Sequence, residues 1–149
     1  VLQGAEEKAR LADAMGDRLR ADRLADGDDP QAIDRDVANS RARIVSAPTV
    51  IAVCFTLADM DRYPDARRAE AERLMAVQST AMAAQNLLLL AHAEGLGACW
   101  MCAPLFCPNT VKLALELSFE WHPLALITLG YPASAGRSRG RRSIAEIVR

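Results

Sequence analysis

AVQSTAMAAQNLLLLAHAEGLGACWMCAPLF, residues 76–106, is the most informative stretch of this chain. Wound as a helix, residues 76–93 put apolar side chains on nearly every face. Gly95 and Gly97 supply stop signals, and Trp100 follows in a turn between Cys99 and Cys102. A helix with no polar face has to be buried, within one chain or between two. Gln85 and Asn86 interrupt the apolar surface. Buried amides need hydrogen-bond partners, so this pair is expected to hold backbone or ligand, or to pair across a helix–helix interface.

Upstream, Pro64-Asp65 opens this long helix, which is expected to run to about Glu94. Before it, residues 49–56 (TVIAVCFT) are β-branched and almost wholly apolar, the pattern of a central buried strand. Two charged helices come first. One covers 5–26 with Leu11, Met15 and Leu19 on a single stripe. After the Gly27-Asp28-Asp29 turn, the other starts with Asp29 as cap and Pro30 in its first turn, and runs to about Arg43. Downstream, the pattern gives a short strand at 98–101, a helix at 109–117, a strand at 124–129 (LALITL) and a capping box at Ser143–Glu146. Helices alternate with few strands, so the fold class is α+β, a helix-covered sheet. The 149 residues are expected to form a single domain. Val1-Leu2 reads as the end of a strand, which suggests a domain lacking its amino-terminal segment.

Bulk composition narrows the function classes. Hydrophobic residues make up 51% of the chain, enough for a real core, and the net charge is −1. That balance gives no electrostatic case for nucleic acid, and the absence of 18 consecutive apolar residues gives none for a membrane span. Four cysteines are too few for a disulfide framework, so a cytoplasmic location is expected. Neither a Gly-x-Gly-x-x-Gly nor a Walker loop occurs.

The residues able to carry chemistry are few. Cys99 and Cys102 form a Cys-x-x-Cys, with Cys107 five residues on. A thiol-redox or metal site is one reading. Against it, the pair follows a helix carboxyl terminus, whose dipole raises rather than lowers a thiol pKa. Cys107, just before a helix, is the better candidate for a reactive thiol. His92 lies on the apolar helix, and His122 is expected at the surface in a turn. Arg137, Arg139, Arg141 and Arg142 form a basic run that is either a solvated tail or a phosphate clamp, since guanidinium forks match phosphate oxygens.

AAQNLLLLAHAEGLGACWMCAPLF, followed by a helix, PLALITLGYP and a basic run, resembles the nitroreductase family of FMN flavoproteins. YPDARRAEAERLMAVQSTA and the Gly-Leu-Gly-Ala-Cys-Trp turn are most similar to the branch that includes the reductase domain of coenzyme F-420 (deazaflavin) biosynthesis. The resemblance implies an α+β sandwich that dimerises through long central helices, with residues 79–93 buried between subunits and FMN at the homodimer interface. It implies an oxidoreductase that passes electrons from NAD(P)H or a similar donor, through the flavin, to a small organic acceptor, without a protein nucleophile. By position, Trp100, Met101, Cys102, Ala103 and Pro104 would face the isoalloxazine ring. Arg139 and Arg141, with Arg142 one register along, would meet the FMN phosphate. Residues 61–65 would form a substrate-facing loop. Two departures stand out. The family's amino-terminal Arg-Ser-Arg and Pro-Trp segments are missing, and Cys102 replaces a glycine or small residue. The alternatives are a non-catalytic dimerisation or binding module of the same fold, and a thiol-redox or metal protein.

Overall fold

The computed structural model describes residues 1–134 and 140–148. Helix α1 (Ala5–Ala25) buries Lys8, Leu11, Ala12, Met15 and Gly16, one stripe at helical spacing, with Glu6 and Glu7 at its positive end. The Gly27 turn, with φ +82, reverses the chain. Helix α2 (Pro30–Ser46) starts where the Asp29 carboxylate accepts the Ala32 N–H at 2.9 Å, and it buries Ile33 and Ile44 against α1. The two helices approach closely at Gly16, where a Cβ would lie 3.0 Å from Val37 Cγ1. Their outer faces are laced by Arg20–Asp34, Arg23–Asp36 and Arg41–Asp13 ion pairs.

Strands β1 (Thr49–Phe55), β2 (Gly97–Met101) and β3 (His122–Gly130) form one antiparallel sheet in the order β1-β3-β2. β3 is central, and Leu124–Ile127 are buried, as an unbroken apolar run demands. β3 is longer than its sequence pattern suggests, because His122 and Pro123 pair with Phe55 and Cys54. Pro123 brings no N–H to the ladder, and the register slips beside it, between Val53 and Cys54. Leu2 bridges Val50 on the far edge of β1.

Helix α3 (Ala66–Ala93) connects β1 to β2, which run parallel to each other on either side of β3. Asp65 caps it, accepting the Arg68 N–H at 2.9 Å. Of the two expected stop residues only Gly95 ends the helix, with φ +73; Gly97 already belongs to β2, packed near Pro132. Next come a single 3-10 turn (Ala103–Phe106), α4 (Pro108–Ala114) and, after β3, α5 (Ile144–Ile147). α4 stops three residues before its expected end, where Glu116 turns left-handed at φ 53. At α5 the expected capping box is present, with Ser143 N–H donating to the Glu146 carboxylate at 2.8 Å.

The main core joins α1, α2 and α4 to the sheet through Leu11, Ile44, Val50, Val111 and Leu126. A smaller cluster holds Phe55, Ala76 and Leu124 together with Trp100, on the α3 side. Trp100 and Met101 are adjacent on β2 and pack into different clusters, as alternating strand residues do. This α+β architecture is the one expected from the sequence.

Burial along α3 differs from expectation within the single chain. Only Ala76, Ala84 and Ala91 are buried, whereas Met82, Leu89 and Leu90 are 64%, 58% and 62% exposed. Gln85 and Asn86 are also exposed rather than buried. By length and composition alone α3 could cross a membrane, its best 18-residue window having a mean hydropathy of 1.3, although no uninterrupted apolar run flags it in the sequence. Both its ends, however, return to strands of the same sheet.

Candidate functional site

The site expected around residues 100–104 sits where β2 leaves the sheet. β2 is an edge strand, so alternate peptide groups along its free side lack sheet partners. Beside it, a hollow of about 570 Å³ is walled by the end of α2, the Ala47-Pro48 link to β1 and the end of β3. Its lining includes Arg43, Ser46, Cys99, Met101, Thr128 and Gly130. That volume falls in the range of small-ligand sites, roughly 300–1,000 Å³. Gly130 is required here, because a Cβ at that position would lie 2.7 Å from Pro48 Cδ.

The candidate turn residues divide between environments. Met101 faces this hollow, and Ala103 lines a separate hollow of about 110 Å³ with Arg18, Ser40 and Phe106. Trp100 packs with Phe55 and Ala76, and its Nε1–H donates to Cys102 Sγ at 2.8 Å. Cys102 is exposed and Pro104 buried. Any contact of Trp100 or Pro104 with a ligand at the hollow would therefore run through backbone rather than through buried side-chain atoms. Arg141 and Arg142 are exposed, and Arg141 donates to the Gly140 carbonyl at 3.5 Å. Arg137 and Arg139 lie outside the described residues.

Arg43 was not singled out in the sequence. It lies in the last turn of α2, at the wall of the larger hollow, and takes part in none of the ion pairs among the described residues. The available signal was its position, a basic residue just before a buried strand. Lys8 holds the same corner from below. It is 6% exposed, and its ammonium donates to the Ala47 carbonyl at 2.6 Å, at the negative end of α2.

The cysteine expectations need correcting. Cys107 precedes α4 but is buried, and burial pushes its thiol pKa up, partly offset by Arg18. Its Sγ donates to the Ala103 carbonyl at 3.6 Å. It is a core residue, not an activated nucleophile. Cys99 and Cys102 are free and exposed, and among the described residues no three His, Cys, Asp or Glu side chains gather to hold a metal. His122 is not a surface turn residue. It belongs to β3 and stacks on Phe55 with ring centroids 4.9 Å apart. Burial, then Lys112 and Arg73, push its pKa down. His92 is exposed on α3.

The fold is shared with proteins of known structure. The chain superimposes on a BluB-like flavoprotein from Clostridium difficile 630 with a TM-score of 0.73 and 19% identity, covering 99% of this chain and 76% of that one. The NADPH:FMN oxidoreductase of Vibrio harveyi gives 0.66 and 18%, covering 99% and 55%. The NfrA1 nitroreductase of B. subtilis gives 0.69 and 17%, covering 99% and 54%. The chain thus spans little more than half the length of the last two. At these identities the likeness establishes the fold. The sequence pattern of the nitroreductase family, in addition, matches residues 1–131, nearly the whole described structure. Fold and sequence agree, and the chain belongs to the nitroreductase family.

Proposed function

We propose that this chain is the core of an FMN-dependent oxidoreductase that works as a homodimer and moves electrons from NAD(P)H to a small organic acceptor. The observation that carries the reading is the family match across residues 1–131. The hollow beside β2 fits such a cofactor chemically. It offers apolar surface from Met101, Leu129 and Pro48, and one cation at Arg43. Bound FMN would supply the hydride chemistry. In this reading the chain's own residues position and shield. The β2 edge offers backbone donors to a ring that gains negative charge, Arg43 adds a fixed positive charge, and Met101 excludes water. Arg141, with Arg139 and Arg142 beside it in sequence, is assigned to the phosphate.

The exposed Met82, Leu89 and Leu90 support the dimer, because soluble chains seldom leave such a stripe open. A second copy covering α3 would also bury Gln85 and Asn86 at the interface. A single domain in a reducing, cytoplasmic compartment completes the reading, consistent with four free cysteines.

The test is a titration of the purified chain with FMN, followed by quenching of flavin fluorescence and by sedimentation. Saturable binding near one FMN per chain, on a dimer, supports the reading. A monomer that takes up no FMN contradicts it. Leu90→Arg is expected to give a folded monomer, since that side chain meets solvent in the single chain.

A further inference from the structure

We propose that a second hollow, at the amino-terminal end of α3, binds a planar aromatic cation. The proposal goes beyond the flavin reading and does not depend on it. The hollow, about 620 Å³, lies between the 57–63 loop, the first turns of α3 and residues 119–122. Its volume suits a molecule of two or three fused rings. Its apolar lining is Leu57, Met60 and Ala69, and its aromatic lining is Tyr63, Phe119 and His122. Phe119 is 88% exposed, a large ring held at a rim with little to pack on. Aromatic rings beside aliphatic side chains favour a flat ligand.

Charge selects the sign of that ligand. Asp61, Glu72 and Glu120 line the hollow, against one guanidinium, Arg62. None of the three carboxylates is in an ion pair among the described residues, and Glu120 is within 3.3 Å of the Ser118 hydroxyl. Nearby cations are committed elsewhere. Lys112 donates to the Phe119 carbonyl at 2.8 Å, Arg73 is bonded to Glu70, and Arg68 lies over the Tyr63 ring at 4.7 Å while also pairing with Asp65. The same Tyr63 ring thus already carries a cation on one side. His122, its pKa lowered, adds no charge at neutral pH. An aromatic cation would gain from the carboxylates and from ring faces together, whereas an aromatic anion would meet three carboxylates.

Leu57 and Met60, which line the hollow, also pack in the cluster that contains Trp100. The hollow and the turn assigned above to the flavin therefore pack against the same small cluster.

The test uses fluorescence titration of the 149-residue chain with N-methylquinolinium, with quinoline as the uncharged isostere and a naphthalenesulfonate as the anion. The cation is expected to bind saturably and about tenfold more tightly than quinoline, two or three exposed charge pairs being worth that much at low salt. The sulfonate is expected not to bind. Glu72→Gln with Glu120→Gln should bring the cation down to the level of quinoline, and Ala69→Trp, which puts a large ring into the lining, should abolish both. Equal affinity for cation and isostere, unchanged binding in Ala69→Trp, or no saturable binding would each overturn the proposal. The titration needs no flavin, so its failure leaves the cofactor reading untouched, and a colourless protein that bound the cation would leave this proposal standing.

Discussion

Replacing Lys8 by methionine isolates the charge that holds the corner of the candidate flavin site. The ammonium sits 2.6 Å from the Ala47 carbonyl and 3.5 Å from that of Pro48, and both residues wall the 570 Å³ hollow. A hydrogen bond from a charged donor contributes about 1.5–3 kcal/mol, a figure that here already includes the favourable cation at a helix carboxyl end. Methionine keeps most of the buried stem but leaves two carbonyls without that donor. It also removes the desolvation cost of a 6% exposed ammonium, which offsets part of the loss. The net expectation is a destabilisation of about 2 kcal/mol, or a fall in Tm of roughly 4–8 °C for a chain of this size. Urea unfolding at fixed protein concentration measures it, since a dimer's stability depends on concentration. FMN affinity should weaken in parallel, because Arg43 and Pro48 lie on the segment Lys8 pins. A Lys8→Met protein within about 0.5 kcal/mol of the parent would refute the reasoning and reduce Lys8 to a packing residue.

Other outcomes follow from the same geometry. Gly130→Ala should cost about 1–3 kcal/mol by overpacking against Pro48, read by thermal unfolding. Arg43→Ala and Arg141→Ala should each weaken FMN binding about ten- to a hundredfold, and the fluorescence titration would expose either assignment as wrong if affinity held. Thiol labelling of the native chain should modify Cys99 and Cys102 first, with Cys107 reacting only on unfolding, because it is buried and its thiol pKa is raised. The folded His122 has its pKa pushed below the ordinary 6.5, so the unfolded chain binds its proton first. Its contribution is intact above that value and is lost as pH falls through it. His122→Asn should flatten this part of the stability profile, and an unchanged slope in urea titrations below neutral pH would contradict the assignment.

The sheet and helices were legible because their patterns are local. LALITL reads as a buried strand, and Asp29-Pro30 and Pro64-Asp65 as helix starts, from residue types and spacing alone; TVIAVCF is a strand too, but lies beside the central one rather than at the centre, with only Val50 and Phe55 buried. Ends were less legible where tertiary contact decides them. His122 and Pro123 joined β3 because Phe55 and Cys54 lie opposite, and α4 stopped at Ala114, with Glu116 rather than a glycine taking the left-handed turn after it. Burial of Gln85, Asn86 and most of α3 calls for a partner surface that the single chain does not contain, so within this chain they stay exposed. The candidate site was half legible. The turn at 100–104 stands out by composition, whereas Arg43 and Lys8 are ordinary residues in charged helices, brought to the hollow only by the packing of α1 and α2 against β1. Cys107 shows the reverse error, since position before a helix suggests activation, yet burial makes the thiol inert.

The central claim is that this chain holds a flavin that accepts electrons from a nicotinamide. The most direct measurement is an anaerobic absorbance trace of the FMN-loaded protein on mixing with NADPH or NADH, followed by addition of a quinone. The account predicts loss of the flavin band within the mixing experiment and its return on adding the acceptor. A protein that retains no FMN, or whose bound flavin keeps its full band with both donors, would contradict it.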